Sequence, residues 1–404
     1  MLFGSNYLTS RTNPKLLIDF GETHVFESAT VMTNILLFHK DDNCNNIVST
    51  QIKEDFKDPS TLVEYVDDHH IISQFENDES WVIMSDLVRN IKRKVEEQGT
   101  PLEEWDVEIY RGILTGNNKA FVVSEEIRTK ILEGCLDDEE RKRTDALIRP
   151  LLRGKDINKY GCRCCKWLIS LFPSRHYDIE QYPAVKNFLL SYAKADLMNA
   201  NLNWIVDDYL SEFCLQKLSQ NGQFVEIEGK RVTIGRKQEK SRKRTSNKWF
   251  ETQDSITYWE DFLKPKIIYP NMTKYLPFYY DEQKYYTNQK CFIITGAHMS
   301  YLTAFFNSSL FKFCFLDNFP TLGEDRRELS KIYFEKIPIL EVDDATDAEF
   351  RTFVLDIQKE YSDEKAKAID QRIFDLYGLT QEERDAIGYI DYHNNNDNEP
   401  DDDE

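Results

Sequence analysis

The sequence predicts a mixed α/β protein, because strand-like and helix-like patterns alternate along it. Residues 17–38 combine a strand, a turn at Gly21 and a strongly apolar strand at Val31–Phe38. Residues 81–98 are predicted as a helix, since Ile83, Leu87, Ile91 and Val95 recur at helical spacing. The best helices further along are Ala184–Leu197 and Met299–Phe315, and the second is too aromatic to lie on a surface.

The C-terminal part predicts short amphipathic helices followed by a tail. The three helices are Ala348–Glu360, Glu364–Tyr377 and Thr380–Ile387. Thr380 is the expected N-cap of the third helix, and Glu383 completes a capping box. The final NNNDNEPDDDE is too polar and charged to fold.

Length and composition favour a globular protein of two or three domains. The chain has 404 residues with 41% hydrophobic and 13% aromatic content. It contains no run of about 18 apolar residues, so we expect no membrane span. The first residues lack the apolar core of a signal peptide, and eight irregularly spaced cysteines are typical of reduced cytosolic thiols. We therefore expect a cytoplasmic location.

Charge is distributed very unevenly along the chain. The net charge is −20, which disfavours nucleic-acid binding at first sight. Residues 341–404, however, hold 21 acidic and 6 basic residues. By contrast, Lys230–Lys248 holds nine Lys/Arg and one Glu, enough to neutralise several phosphates. A solvated surface loop is the alternative interpretation of this basic run.

Two glycine-bearing segments carry basic and amide side chains. IYRGILTGNNKAFVV (109–123) is predicted as strand, turn at residues 115–118 and strand. IRPLLRGKDINKY (148–160) gathers Arg149, Arg153, Lys155, Asp156 and Lys159 in a loop-like stretch. Such turns can present N–H groups and cations to phosphates. A β-hairpin and a solvated charged loop are the plainer alternatives.

These two segments together resemble the TaqI-like C-terminal specificity domain of adenine-specific DNA methyltransferases. That family includes fused, type IIG-like restriction–modification enzymes. Further blocks follow in the family's order over roughly residues 105–340: KWLI (166–169), YPAVKNFL (182–189), FLKPKIIYPNM (262–272), ITGAHMSYLTAFFNSSLFKF (294–313) and YFEKIPI (333–339). The resemblance implies strands at the first and third blocks, helices at the second and fourth, and a closing strand.

The resemblance implies site-specific recognition of double-stranded DNA. The residues expected to bind DNA are Arg111, Thr115, Asn117, Asn118, Arg149, Arg153, Lys155, Lys159, Arg242, Lys243, Arg244 and Trp249. The basic run departs from the family pattern because Arg242–Arg244 lacks the glycine found between basic residues there, and because the run is longer, so the register of base-reading residues is open.

The resemblance also implies a division of the chain. Residues 1–50 would be the C-terminal tail of a methyltransferase catalytic domain, with part of its Rossmann-like sheet. Residues 51–104 would be a connector with a helix, and residues 105–340 the mixed α/β target-recognition domain. Residues 341–390 would form a short helical segment, and residues 391–404 a disordered acidic tail.

LIDFGETHVFESATVMTNILLF (17–38) resembles the last conserved motif of the family's catalytic domain. The resemblance implies that Phe26 stacks on the flipped adenine. The alternative is that Phe26 is a core side chain between two strands.

Two motifs that the family needs are missing from this chain. No two of its fifteen glycines are two positions apart, so the turn that binds S-adenosylmethionine is absent. None of its twelve prolines are adjacent, so the Asp/Asn-Pro-Pro-aromatic loop is absent too. We therefore expect a missing catalytic half, in cis or trans, and no S-adenosylmethionine binding by this chain alone.

Two other functions stay open. The chain could be a stand-alone DNA-binding specificity or interaction protein without catalysis. An unrelated enzyme is disfavoured, because the sequence has no G-x-S-x-G elbow, no P-loop and no histidine pair at metal-ligand spacing. The clustered Cys162, Cys164 and Cys165 lack zinc-site spacing, so we expect no metal.

Overall fold

The strands and helices of the chain alternate in a mixed α/β arrangement, as the sequence predicts. The computed structural model describes residues 10–21, 33–53, 56, 58–74, 83, 85–164, 166–198, 224–227, 230–233, 246–321 and 326–390. The strands are β1 Asn13–Asp19, β2 Asn34–His39, β3 Ile47–Gln51, β4 Ile71–Ser73, β5 Thr100–Pro101, β6 Val107–Arg111, β7 Val122–Val123, β8 Ile148–Leu152, β9 Ile157–Asn158, β10 Gly161–Cys162, β11 Lys166–Ile169, β12 Phe224–Ile227, β13 Lys230–Thr233, β14 Lys266–Pro270, β15 Met272–Thr273, β16 Tyr279–Asp281, β17 Tyr286–Thr287, β18 Cys291–Gly296, β19 Arg327–Glu328 and β20 Pro338–Ile339. The helices are α1 Leu62–His69, α2 Asp86–Gln98, α3 Asn118–Phe121, α4 Glu125–Glu133, α5 Asp138–Leu147, α6 Pro183–Met198, α7 Met299–Asn307, α8 Ser309–Phe315, α9 Lys331–Phe334, α10 Asp344–Lys359, α11 Asp363–Leu376 and α12 Gln381–Ile387.

The chain divides into two compact units. One unit comprises residues 1–98 and 377–388, and the other comprises residues 99–376 and 389–404. The helices α10 and α11 therefore belong to the second unit, while α12 belongs to the first. The domain boundaries expected from the sequence stay predictions.

The first unit is built on a four-stranded sheet of order β2-β1-β3-β4. β1 runs parallel to β3, and the other two pairings are antiparallel. Its small cores hold apolar side chains of β1 and β3, among them Leu17 and Ile47. The predicted capping box of α12 is confirmed, because Thr380 and Glu383 exchange side-chain to backbone hydrogen bonds. Glu383 also accepts from Lys94 of α2 at 2.7 Å.

The second unit contains two four-stranded sheets. The first has the order β16-β14-β18-β6 with all pairings antiparallel. Its strand β14 is buried along its whole length, including Lys266, whose Nζ donates to the carboxylate of Asp281. The second sheet has the order β17-β8-β11-β7, with β17 parallel to β8. The strands predicted at residues 166–169 and within 262–272 are confirmed.

The aromatic helix predicted at Met299–Phe315 is confirmed as core, but it is divided in two. All nine residues of α7 are buried. Ser308 is extended, with ψ at 157°, and its side chain accepts from the backbone N–H of Phe311. This serine therefore ends α7 and caps α8, as short polar side chains do at helix starts.

The strand–turn–strand interpretation of residues 109–123 was wrong. The short helix α3 lies between β6 and β7, and its N-cap is Asn117. β6 pairs with β18, whereas β7 pairs with β11 of the other sheet. Asn117 redirects the chain because its side chain accepts from the N–H of Ala120, which favours a helical turn over a hairpin.

Candidate DNA-binding site

Residues 287–290 form a turn that contacts both of the glycine-bearing segments singled out in the sequence. The N–H of Ile113, in the first segment, donates to the carbonyl of Thr287 at 2.8 Å. The N–H of Asn288 donates to the carbonyl of Leu152, in the second segment, at 3.2 Å. One turn of the second unit therefore brings the two predicted segments together.

Gly112 allows this close approach. A Cβ at this position would lie 2.0 Å from the carbonyl oxygen of Asn288 and 2.5 Å from Oγ1 of Thr287. No side chain fits in that space, so glycine is required for the contact rather than for an unusual backbone angle. The glycine of the RGILTG block thus has a packing role next to Arg111.

We call three of the basic residues in these contacting segments, Arg111, Lys155 and Lys290, the cationic edge. Arg111 and Lys290 are exposed, and Lys155 is half-buried. Arg111 donates from Nε to the carbonyl of Gln289 at 3.1 Å, which fixes its stem against the turn. Neither Arg111 nor Lys290 forms an ion pair with any residue that the structure describes. Their positive charge is therefore available to an anion.

The polar residues of the first segment hold the loop in shape. Oγ1 of Thr115 donates to Oδ1 of Asn118 at 2.8 Å and accepts from the N–H of Asn117 at 3.2 Å. Thr115 is buried, while Asn117 and Asn118 are half-buried. Nδ2 of Asn117 is buried without a hydrogen-bond partner in the described part of the chain. These three residues therefore order the backbone beside Arg111, and direct DNA contact by them stays a prediction.

The second segment is not the solvated charged loop that the sequence allowed. Arg153 is 9% exposed and donates from Nε and Nη2 to the carboxylate of Asp156, at 2.9 Å for each bond. Lys159 is 8% exposed, and its Nζ lies 5.3 Å from the ring centroid of Tyr389 and 5.9 Å from that of Tyr361. Burial and these partners favour a positioning role for both residues over direct DNA contact.

Arg149 of β8 is half-buried. Its guanidinium lies 5.8 Å from the ring centroid of Tyr286, and its Nε is buried without a hydrogen-bond partner among the described residues. A buried donor that the protein leaves unsatisfied is uncommon, and it marks a place where a ligand acceptor could bind.

The remaining predicted site residues divide into one buried residue and four that lie outside the described part of the chain. Trp249 is 7% exposed and packs edge-to-face on Phe250, with 5.5 Å between ring centroids. Its placement in the core favours a packing role over DNA contact. The four residues outside the described part are Phe26 and the basic residues Arg242, Lys243 and Arg244.

Residues 253–259 belong to the site but were not singled out from the sequence. The N–H groups of Gln253 and Asp254 donate to the carbonyls of Thr115 and Leu114, at 3.0 and 3.2 Å. The hydroxyl of Tyr258 donates to the carbonyl of Arg111 at 2.7 Å. The aromatic content of DSITYWEDF was the available signal, although it is equally typical of a core segment.

Burial sets the charge state of this segment. It raises the pKa of the Asp254 carboxyl, while a hydrogen bond from the backbone of Leu114 and the charge of Arg111 act in the opposite direction. Burial also raises the pKa of the Tyr258 hydroxyl to about 12, so this residue is a neutral donor at physiological pH. Tyr258 in turn stacks on Tyr110 with 4.5 Å between ring centroids.

Gly21, just after β1, has φ at 53°, and a Cβ there would meet no protein atom within 4 Å. That S-adenosylmethionine does not bind to this chain alone stays a prediction. Among the described residues, no group of three or more His, Cys, Asp or Glu side chains could hold a metal ion.

Comparison with known proteins matches residues 215–339 to the TaqI-like C-terminal specificity domain. The family resemblance seen in the sequence is confirmed for this segment, which contains β14, β18, α7 and α8. The blocks at residues 109–160 lie before the match. The match supports DNA target recognition as the class of function of this segment. No curated protein matches the chain.

Two solved structures are similar at 10% sequence identity. They are the type IIL restriction-modification enzyme MmeI in complex with DNA (TM-score 0.44) and the type IIG restriction endonuclease BpuSI (TM-score 0.39). Each comparison covers 93% of this chain, but only 46% and 45% of the respective solved chains. The chain thus spans about half the length of these proteins.

A search of the described helices finds none that is both long and apolar enough to cross a bilayer.

Proposed function

We propose that this chain recognises a specific sequence in double-stranded DNA and directs adenine methylation there, as part of a restriction–modification or phage-defence system. The observation that carries the proposal is the match of residues 215–339 to the TaqI-like C-terminal specificity domain. The cationic edge supports it, because guanidinium and ammonium groups on segments that contact one another can supply phosphate contacts.

Catalysis, on this proposal, needs a second polypeptide segment. The sequence lacks the glycine-rich turn and the Pro-Pro loop, so S-adenosylmethionine and the target amino group would bind to a methyltransferase half supplied in cis or trans. Phe26 would then stack on the extruded adenine. The complete enzyme would act in the cytoplasm, because the irregularly spaced cysteines are typical of reduced cytosolic thiols.

The test is selection of duplexes from a randomised library by the purified 404-residue chain, followed by sequencing of the bound fraction. Enrichment of one short motif is the expected result. Binding without enrichment would favour the alternative of a DNA-associated interaction protein, and no binding at any salt concentration would contradict both.

A complementation assay tests the catalytic part separately. Adding a methyltransferase segment that carries the missing motifs should yield adenine methylation at the selected motif. Phe26→Ala should lower methylation strongly and leave duplex affinity nearly unchanged, because stacking acts on the flipped base. Unchanged methylation would reassign Phe26 to the core.

A further inference from the structure

Arg175 lies outside the site that the sequence predicted, and its guanidinium is held between two aromatic rings. Its Cζ is 3.7 Å from the ring centroid of Trp259 and 5.5 Å from that of Tyr177. Arg175 is exposed, whereas Trp259 and Tyr177 are half-buried. Stacking of a guanidinium on an aromatic face fixes its plane but leaves its N–H donors at the edge.

No protein group among the described residues uses those donors, since the Arg175 side chain forms no hydrogen bond or ion pair with any of them. The acidic residues nearest in sequence have other partners: Asp178 accepts from the N–H of Glu180 at 3.1 Å, and Glu180 pairs with Lys186 at 2.7 Å. The guanidinium of Arg175 is therefore positioned by the aromatic rings, and its positive charge has no acidic partner among the described residues.

Arg128 shows the contrasting arrangement in the same unit. Its guanidinium also stacks, 3.9 Å from the ring centroid of Trp167. However, it is bonded to Glu125 at 2.9 Å and to Asp145 at 2.5 Å. Its charge and its two terminal nitrogens are thus engaged within the protein, so stacking alone does not distinguish Arg175.

The backbone under Arg175 is tied to the segment that carries Trp259. Ser174 donates from its N–H to the carbonyl of Ser255 at 3.2 Å, and from Oγ to the carbonyl of Ile256 at 2.8 Å. Ile256 is buried with φ at 49°, and His176 has φ at 51°. Left-handed backbone is costly for a β-branched residue and persists where the surroundings enforce it, often at functional sites.

The segment that supports Arg175 is continuous with the candidate DNA-binding site. These residues, 253–259, bond to the first glycine-bearing loop through Asp254 and to the carbonyl of Arg111 through Tyr258. Burial raises the pKa of the Tyr177 hydroxyl, and the nearby charges of Arg175 and Arg149 both lower it. Arg175 therefore lies near the segments that carry Arg111 and Arg149.

We propose that Arg175 reads a guanine in the major groove, donating two hydrogen bonds to O6 and N7. This inference rests on the proposed function. A planar guanidinium with a fixed orientation and free donors matches that pair of acceptors, and it is the commonest specific contact between proteins and DNA bases. A phosphate group also accepts hydrogen bonds from a guanidinium, so the experiment must distinguish a contact to guanine from a contact to the phosphate backbone.

The experiment uses the randomised duplex library with the full-length wild-type chain, Arg175→Lys and Arg175→Gln. Lysine keeps the charge but loses the planar fork, and glutamine loses the charge as well. Both variants should lose guanine preference at one position of the selected motif by about tenfold, with the other positions unchanged. For Arg175→Lys, the dependence of affinity on salt should keep its wild-type slope, since the charge is retained.

Arg128→Lys is the matched control, and it should leave the selected motif unchanged. Circular dichroism and thermal unfolding establish that each variant is folded. A uniform loss of affinity over all sequences, with a shallower salt slope for Arg175→Gln, would overturn base reading in favour of a phosphate contact. An unchanged motif in both variants would also overturn it. If the wild-type chain selects no motif, the proposed function fails together with this inference.

Discussion

Arg153 and Asp156 form a buried ion pair in which two guanidinium nitrogens donate to one carboxylate, at 2.9 Å for each bond. The backbone N–H of Arg153 donates to the same carboxylate at 2.9 Å. The pair therefore fixes the turn at residues 153–156, which carries Lys155. An arginine that the sequence predicts to bind DNA thus shapes the loop that carries Lys155.

Replacing Asp156 with alanine should lower the free energy of unfolding by about 3 kcal/mol, because a buried guanidinium would lose its carboxylate. Urea denaturation measures the change. The control is Glu139→Ala, which breaks an exposed pair with Lys142 and should cost less than about 1 kcal/mol. Equal effects in the two variants would contradict a structural role for the buried pair.

Replacing Gly112 with alanine should separate Arg111 from the 287–290 turn. The added Cβ would overlap the carbonyl of Asn288, and relieving that overlap should cost about 1–3 kcal/mol of stability. Gly161→Ala is the control, since the nearest atom to its Cβ would be 3.9 Å away. Thermal unfolding of both variants is the measurement. A Gly112→Ala chain as stable as the control would show that the strand and turn can move apart at little cost.

The cationic edge should determine part of the salt dependence of DNA binding. The double variant Lys155→Ala/Lys290→Ala should weaken binding uniformly across sequences and lower the log–log salt slope by roughly one for each phosphate that is no longer neutralised. Fluorescence anisotropy at several salt concentrations measures the slope. Lys142→Ala removes an exposed lysine on α5 and should leave the slope unchanged. A wild-type slope in the double variant would exclude the edge from the interface.

Asp254 should make stability depend on pH in the acidic range. Because burial raises its pKa in the folded chain, the folded state binds a proton more tightly than the unfolded state. Its contribution to stability is therefore lost as pH rises from the ordinary value of 3.8 through the higher folded pKa. Asp254→Asn should flatten this part of the profile of unfolding free energy against pH, and Asp385→Asn on α12 serves as an exposed control. A profile that Asp254→Asn leaves unchanged would contradict burial as the cause.

The triple variant Arg242→Ala/Lys243→Ala/Arg244→Ala should also weaken duplex binding uniformly, if the basic run binds phosphates. The salt slope is again the measurement, and it should fall by about one for each phosphate that the run neutralises in the wild-type chain. An unchanged slope would make the run a solvated loop.

Local patterns were enough to predict several elements of the fold. The capping box at Thr380 and Glu383 needs residues only three positions apart, and the aromatic density of Met299–Phe315 indicates burial in any tertiary context. The hairpin interpretation of residues 109–123 was wrong because β6 and β7 belong to different sheets. Each pairs with a strand more than forty residues away in the sequence. Long-range pairing of this kind leaves no signal in a short window.

The site was predictable only in part for a similar reason. Residue type gave Arg111, Lys155 and Arg153 the same predicted role, although Arg153 is buried in an ion pair and Arg111 is exposed. The signal for Arg153 was Asp156, three residues later, which suits a local ion pair. Arg175 was missed because its aromatic partner Trp259 is distant in sequence. No sequence pattern near Arg175 indicates that its N–H donors lack a partner among the described residues.

The hydrogen bond between Ser174 and Ile256 joins segments 82 positions apart in the chain. If residues 173–177 were replaced by those of a relative while residues 253–259 were kept, the grafted loop would pack against a segment that did not change with it. Changes of recognition should therefore accumulate as pairs of compensating substitutions in the two segments. Libraries intended to alter the recognised base pair would need to diversify both segments together.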